Sequence, residues 1–267
     1  MTERIRELIE RLAAEHRLSG AEYAELIDGR DADAAALLAE RAVAARRAVY
    51  GDAVFTRGLI EISSHCKNDC LYCGLRQANR QLKRYRMTDR EILEAAFAVK
   101  RANIGTLVLQ SGEDPFYDAE KLCRLIESIK REIGLVITLS LGERPREEYQ
   151  AFRQAGADRY LLKHETASPS LYHRLRPGSR LENRLTCLGW LKDLGFETGS
   201  GNMVGLPGQD AAVLAVVAAI VAGAAAHVEQ ATAEVDGAGR RRAALPDAEF
   251  AVDGGRAGRL LVLAVGL

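Results

Sequence analysis

The chain has 267 residues, 48% hydrophobic and 28% charged, which is enough apolar material for one barrel-sized domain. Its 37 basic and 37 acidic residues cancel to a formal net charge of zero, arguing against a nucleic-acid partner, whose phosphate backbone is met by a basic stripe. The N-terminus carries no signal-peptide pattern and no uninterrupted apolar run is long enough to span a bilayer, so a cytoplasmic protein with no membrane partner is expected.

Apolar spacing predicts a helix over residues 4–15, with Ile5, Leu8, Ile9 and Leu12 on one face, then a short helix capped by Ser19 and reaching residue 26, then a third over 31–48. This Ala- and Arg-rich extension, residues 1–50, carries no catalytic motif and reads as packing scaffold. A strand over about 54–62 follows and delivers a cysteine-rich loop. From there strand and helix alternate. Thr88 and Glu91 form a capping box for a helix to about 103, ahead of a strand over 105–110. A helix over 119–132 leads into a strand over 135–140, a helix over 146–155 into a strand over 158–164, and a helix over 181–194 into a fifth strand, FETGSGNMVG. Regular β-α units argue for a parallel sheet with right-handed crossovers. The expected class is therefore α/β, a partial TIM barrel over residues 51–209, with functional residues where the strands end.

The loop reads EISSHCKNDCLYCGL, with Cys66, Cys70 and Cys73 in C-x3-C-x2-C spacing. Three thiolates this close can curl around an iron-sulfur cluster and supply three of its corners. On spacing alone, a zinc site with His65 as fourth ligand is equally open. The clustering of three of the five cysteines fits metal ligation in a reducing compartment better than a disulfide framework. Cys123 and Cys187 lie in helical patterns and read as small buried apolar residues.

The other polar sets fall on the same rim: Ser111 to Asp114, Ser140 to Glu143, His164 to Thr166, and the run GNMVGLPG from Gly201 to Gly208. Each alone passes for a turn, a helix cap or a loop. Four of them at successive strand ends point to a site.

The C-x3-C-x2-C loop with Tyr72 before its last cysteine resembles the signature of the radical S-adenosylmethionine (SAM) enzymes. That resemblance implies a 4Fe-4S cluster on Cys66, Cys70 and Cys73, with SAM on the open iron, cleaved reductively to a 5'-deoxyadenosyl radical. RYRMT, QSGED, YLLKHETASPSLYHRLRPG and ENRLTCLGWLKDLGFETGSGNMVGLPGQ carry a closer likeness, over about residues 58–209, to the FeFe-hydrogenase H-cluster maturase family HydE. Carried over by position, Gly112 and Glu113 receive the SAM amino group, Glu165 and Arg184 engage its ribose and carboxylate, and Met203 and Val204 flank the adenine. Lys163 stands where this family often has Arg and lacks the bidentate fork. Thr138 and Ser140 are weaker candidates for substrate contact. The family implies a small-molecule or organometallic substrate, hydrogenase maturation partners and a reductant such as ferredoxin or flavodoxin. The physical logic agrees, because an ammonium calls for an acid such as Glu113 and a carboxylate for a cation such as Arg184.

Methylornithine synthase and biotin synthase compete within the superfamily. The second draws on further strand-end cysteines that the fifth strand here lacks. After Gln209 the family pattern is lost to an Ala-, Gly- and Arg-rich tail, in which residues 210–222 fit a helix and 259–265 a strand. The composition suits out-of-frame translation of GC-rich DNA, with a divergent closing segment as the alternative. On the first reading the chain is a truncated, catalytically incompetent fragment.

Overall fold

A computed structural model describes residues 1–222, excluding the side chains of residues 218–222. The strand expected over 259–265 lies outside the described residues. Three helices open the chain: α1 (Glu3–Glu15), α2 (Gly20–Asp28) and α3 (Ala32–Tyr50). Each begins where a side-chain oxygen can accept the unpaired N–H groups of a first turn. Thr2 caps α1, Asp31 caps α3, and Ser19 with Glu22 closes a full capping box on α2. Ile5, Leu8, Ile9, Leu18, Leu26 and Ala34 pack into a small core of their own. Leu12, expected on that face, is only half-buried against it.

The sheet has five parallel strands, β1 (Gly58–Ser63), β2 (Thr106–Ser111), β3 (Val136–Ser140), β4 (Arg159–Leu161) and β5 (Glu197–Gly199), paired in sequence order. Between them run α4 (Asp89–Arg101), α5 (Ala119–Ser128), α6 (Arg146–Gln154), α7 (Pro169–Leu175) and α8 (Leu181–Asp193). Side-chain alternation along the strands divides the two faces. Ile60, Ile62, Leu107, Leu109, Ile137, Leu139, Tyr160 and Leu162 share one core with Ile92 of α4, Leu122 of α5, Phe152 of α6 and Leu191 of α8. Glu61, Gln110, Thr138 and Ser140 have the opposite parity, and Gln110 donates to Glu61 at 3.1 Å across that second face. Within the core, Tyr160 meets Tyr149 and Phe196 edge-on, with centroids 5.0 and 5.9 Å apart.

Several boundaries differ from the sequence expectation, each for a local reason. β1 starts at Gly58 rather than 54, and Val54 and Phe55 stay exposed, because ladder pairing with β2 begins only at Gly58. β4 and β5 keep three residues each. β5 ends on Gly199, Gly201 follows, and one bridge, Glu165 to Asn202, continues the pairing. α5 gives way to a π-helical turn, Ile129–Ile133, closed by Gly134 in a left-handed conformation, φ 70°. Helix α7 was anticipated only as a cap: Ser168 accepts from the N–H of Leu171, and Pro169 sits in the first turn.

The last described helix, α9 (Ala211–Ala222), is the one expected at the start of the tail. Asp210 caps it through the N–H of Val213 at 2.8 Å. Val213 and Val217 pack with Ala167, Tyr172, Leu181 and Leu185, while α9 also lies along α2. The segment just past Gln209 thus ties the N-terminal helices to the helices around α7.

Candidate functional site

The cysteine loop leaves the end of β1 and is held from three sides. Ser63 Oγ donates to Asp114 Oδ2 at 2.6 Å and accepts from the N–H of His65 at 3.0 Å. Asp114 also takes a two-pronged contact from Arg86, 2.7 and 2.9 Å, and the N–H of Phe116 at 3.1 Å. Burial alone would raise the Asp114 pKa, but the guanidinium and the Ser63 hydroxyl outweigh it and hold the carboxyl at about 2. On the second side, Arg84 donates to the carbonyls of Ser64, Leu75 and Arg76 at 2.5, 3.1 and 2.7 Å, so one guanidinium closes both ends of the loop. On the third, Lys67 N–H meets Glu113 O at 3.0 Å and Leu71 N–H meets Leu175 O at 2.9 Å. These bonds explain why RYRMT, which supplies Arg84 and Arg86, belongs to the site although it lies outside the cysteine spacing.

All three loop cysteines are free thiols, Cys70 buried, Cys66 and Cys73 half-buried, and Asn68 N–H points at Cys66 Sγ at 3.4 Å. Burial pushes the Cys70 thiol up, opposed by the Arg176 charge. A Cβ on Gly112 would stand 2.3 Å from His65 O and 2.7 Å from Cys66 Cβ, so the second strand end packs directly on the loop. Among the described residues, no three His, Cys, Asp or Glu side chains converge as the ligands of a single ion. The thiolates on a cluster each take a different iron and need no such point. A free-thiol trio with a backbone donor aimed at one sulfur and a glycine floor fits that group.

Behind the loop lies a buried acid-base group. Glu113 sits 3.5 Å from Arg176, 3.6 Å from Lys67 and 4.0 Å from Arg184, while Glu143 sits 3.3 Å from Arg184 and 3.8 Å from Arg176. Gly142 makes room for it: φ is 76° there, and a Cβ would meet Glu113 Cγ at 2.1 Å. Arg184 is 3% exposed, and its Nε and Nη1 have no aligned hydrogen-bond acceptor despite the nearby carboxylates. Such unspent buried donors are rare in a finished interior and suit an anionic ligand.

The third expected group comes from the ends of β4 and β5. Glu165 adopts φ 67°, uncommon for a side chain this size, and is pinned there by its N–H to Gly201 O at 3.0 Å and by Met203 N–H to its own carbonyl at 2.8 Å. Its Oε2 is buried without a hydrogen-bond partner, and Lys163 Nζ is 3.7 Å away. Gln209 folds the following loop, accepting from Gly205 and Leu206 and donating to Met203 O at 2.8 Å. Met203 is half-buried there and Val204 is 58% exposed. Thr138 Oγ1 is buried without a hydrogen-bond partner and Ser140 is half-buried.

Arg176 stands outside every strand-end set that the sequence singles out, whereas His164 belongs to the set from His164 to Thr166. Arg176, in the stretch RLRPG, is 5% exposed and donates to Tyr72 Oη at 3.3 Å. The signal was an arginine next to Pro177 that no helical face required. His164 is fully buried, its Nδ1 2.8 Å from Ser200 Oγ, which in turn donates to Leu162 O at 3.0 Å. Because the Ser200 proton is committed, Nδ1 of His164 carries the ring proton and Nε2 is a bare, unpartnered acceptor.

The chain is 55% identical over 164 residues to the [FeFe] hydrogenase maturase subunit HydE of Thermotoga maritima, a match covering 61% of this chain and 47% of that protein. It is 31% identical over 163 residues to 3-methylornithine synthase of Methanosarcina acetivorans, covering 60% of this chain and 46% of that one. The chain spans about half the length of the curated relatives it matches. Among solved structures, methylornithine synthase superposes with a TM-score of 0.71 at 27% identity, covering 79% of this chain and 62% of that one. The hydrogenase maturase HydG gives 0.74 at 21% identity, covering 86% and 52%, which speaks for the fold. The sequence pattern described as "Radical SAM superfamily" matches residues 60–218, from β1 through the cysteine loop and all five strands into α9. With the cysteine loop at the end of β1 and the buried acid-base group at the next strand ends, this match over more than half its length shows that the chain belongs to the radical SAM superfamily.

Proposed function

We propose that this chain acts as a HydE-type maturase on an organometallic, cysteine-bound iron precursor of a hydrogenase cofactor. Members of the superfamily bind a 4Fe-4S cluster and SAM. When bound, these supply reductive one-electron cleavage of the SAM sulfonium. In this reading Cys66, Cys70 and Cys73 hold the cluster, and Gly112 with the Glu113 backbone sets the floor against which SAM rests. The SAM carboxylate takes the unspent N–H groups of Arg184, and its ribose hydroxyls donate to the unpartnered Oε2 of Glu165. Tyr72 and Lys163 line the approach, Met203 and Val204 face the adenine, and Thr138 and Ser140 meet substrate on the sheet face away from the helices. An external one-electron donor such as ferredoxin or flavodoxin completes the scheme.

The observation that carries this reading is that Arg184 keeps unspent buried donors beside Glu113 and Glu143, while Glu165 keeps an unspent buried acceptor at the end of β4. The 55% identity to the maturase, against 31% to the methylornithine synthase, favours the maturation substrate over an amino-acid one. Anaerobic reconstitution with iron and sulfide, dithionite reduction and quantitation of 5'-deoxyadenosine test it. Cluster assembly with SAM cleavage is expected; cluster assembly without any cleavage would support the incompetent-fragment reading, and zinc binding without iron uptake would sink the assignment.

A further inference from the structure

Arg176 belongs to the acid-base group and also touches the cysteine loop from the end of α7, whereas Lys67 lies on the loop itself. Its Nη1 donates to the hydroxyl of Tyr72, the residue between Cys70 and Cys73, at 3.3 Å, and its Nη2 lies 3.5 Å from Glu113 and 3.8 Å from Glu143. Arg184 reaches the same two carboxylates without touching the loop. The backbone repeats the connection one residue earlier, since Leu71 N–H bonds to Leu175 O at 2.9 Å. Arg176 also packs its guanidinium 5.5 Å from the Tyr172 ring, and its Nε has no hydrogen-bond partner. A guanidinium does not lose its proton in a protein, so this is a permanent charge held at 5% exposure.

We propose that Arg176 is a positioning residue for the cluster. It clamps the cysteine loop through Tyr72 to the carboxylates of Glu113 and Glu143, and its fixed positive charge beside the loop raises the reduction potential of the cluster bound there. The inference rests on the assignment of the three cysteines as cluster ligands. Adding one electron to a thiolate-bound cluster makes an anion more negative, so a nearby cation in a poorly screened interior favours the reduced form. Charge balance and hydrogen bonding are among the levers by which a protein sets such potentials. The carboxylates partly offset Arg176, which gives the opposite-sign test: neutralising Glu143 leaves more of the positive charge uncompensated.

The test is a redox titration followed by EPR on the reconstituted full chain, with dithionite as the electron source. Arg176→Met is expected to retain iron and to disfavour reduction about tenfold, roughly 59 mV more negative for a one-electron couple. Arg176→Lys keeps the charge but not the fork, so its midpoint stays near that of the unaltered protein while a chelator strips iron faster. Glu143→Gln shifts the midpoint positive. An unmoved midpoint in iron-loaded Arg176→Met overturns the proposal, as does Arg176→Lys falling as far as Arg176→Met, which would make packing rather than charge the cause. Should Arg176→Met fail to fold, Glu143→Gln decides: a positive shift supports the proposal and no shift overturns it. Unaltered protein that takes up no iron would instead defeat the cluster assignment, a result distinct from an unmoved midpoint.

Discussion

Gly112 shows how one missing side chain can govern a whole site. With His65 O 2.3 Å and Cys66 Cβ 2.7 Å from where its Cβ would stand, backbone rather than a flexible side chain would have to yield. Gly112→Ala is therefore expected to leave the secondary structure intact by circular dichroism while iron and sulfide content fall well below that of the unaltered protein. Arg184→Ala and Glu165→Ala should instead keep the cluster and weaken SAM binding by about 1.5 to 3 kcal/mol each, the range for charge-assisted hydrogen bonds. Calorimetric titration with SAM checks this, and unchanged affinity in both would move the SAM site elsewhere. His164 adds a pH dependence. Burial, with the Arg184 charge beside it, lowers its pKa from 6.5 to about 4, so the folded ring stays neutral where the unfolded one protonates. The unfolded state then binds more protons across that window, and stability is full above pH 6.5 and lost as pH falls through 4. Roughly 3 kcal/mol is at stake for this group. Denaturant melts at pH 7 and pH 4 should show the loss, and His164→Gln should flatten it between those values.

At the scale of elements, α9 links the site to the N-terminal helices. The helix lies along α2, and Val213 and Val217 share a cluster with Tyr172, whose hydroxyl reaches Glu143 Oε1 at 3.4 Å. Val217→Asp should unpack this contact, with about 2 to 4 kcal/mol lost on burying an unpaired carboxylate or expelling the helix. It should also make the connection after α2, near residue 30, more sensitive to limited proteolysis, because α2 loses its neighbour. The expected change in melting temperature together with a new cleavage site distinguishes this from a local surface effect. Element identity was mostly legible beforehand: Thr88 with Glu91 announced α4, and Ser19 announced α2. Strand ends were not. The segment around Gly199 and Gly201 looks like continuous strand in sequence, but pairing there depends on what the end of β4 offers, which is a single bridge at Glu165.

For the whole molecule, five parallel strands carry helices on one face, and among the described residues β5 has no neighbour on its far side, while β1 has none beyond the antiparallel bridge from Ser63 to Arg86. Leu59, on the face away from the helices, is 55% exposed. Open edges and exposed apolar side chains invite association between chains. Sedimentation analysis of the purified chain is expected to show concentration-dependent self-association, and a monodisperse monomer across the range would overturn the open-edge argument. No helix among the described residues is long and apolar enough to cross a membrane.

What the sequence determined by itself was whatever depends on spacing: the C-x3-C-x2-C loop, the alternation of strand and helix, the caps, and the placement of Glu113, Glu143 and Glu165 just past strand ends. Period and local hydrogen bonding fix these within a few residues of chain. Only the tertiary structure decided which of the charged residues share a low-dielectric space. Arg176 and Glu143 are 33 positions apart in numbering and 3.8 Å apart in the fold, and Arg84 closes a loop whose cysteines it follows by many residues. Nothing local marks such partners, because the energy that selects them comes from burial and from the charges they meet only after the sheet has brought the strand ends together.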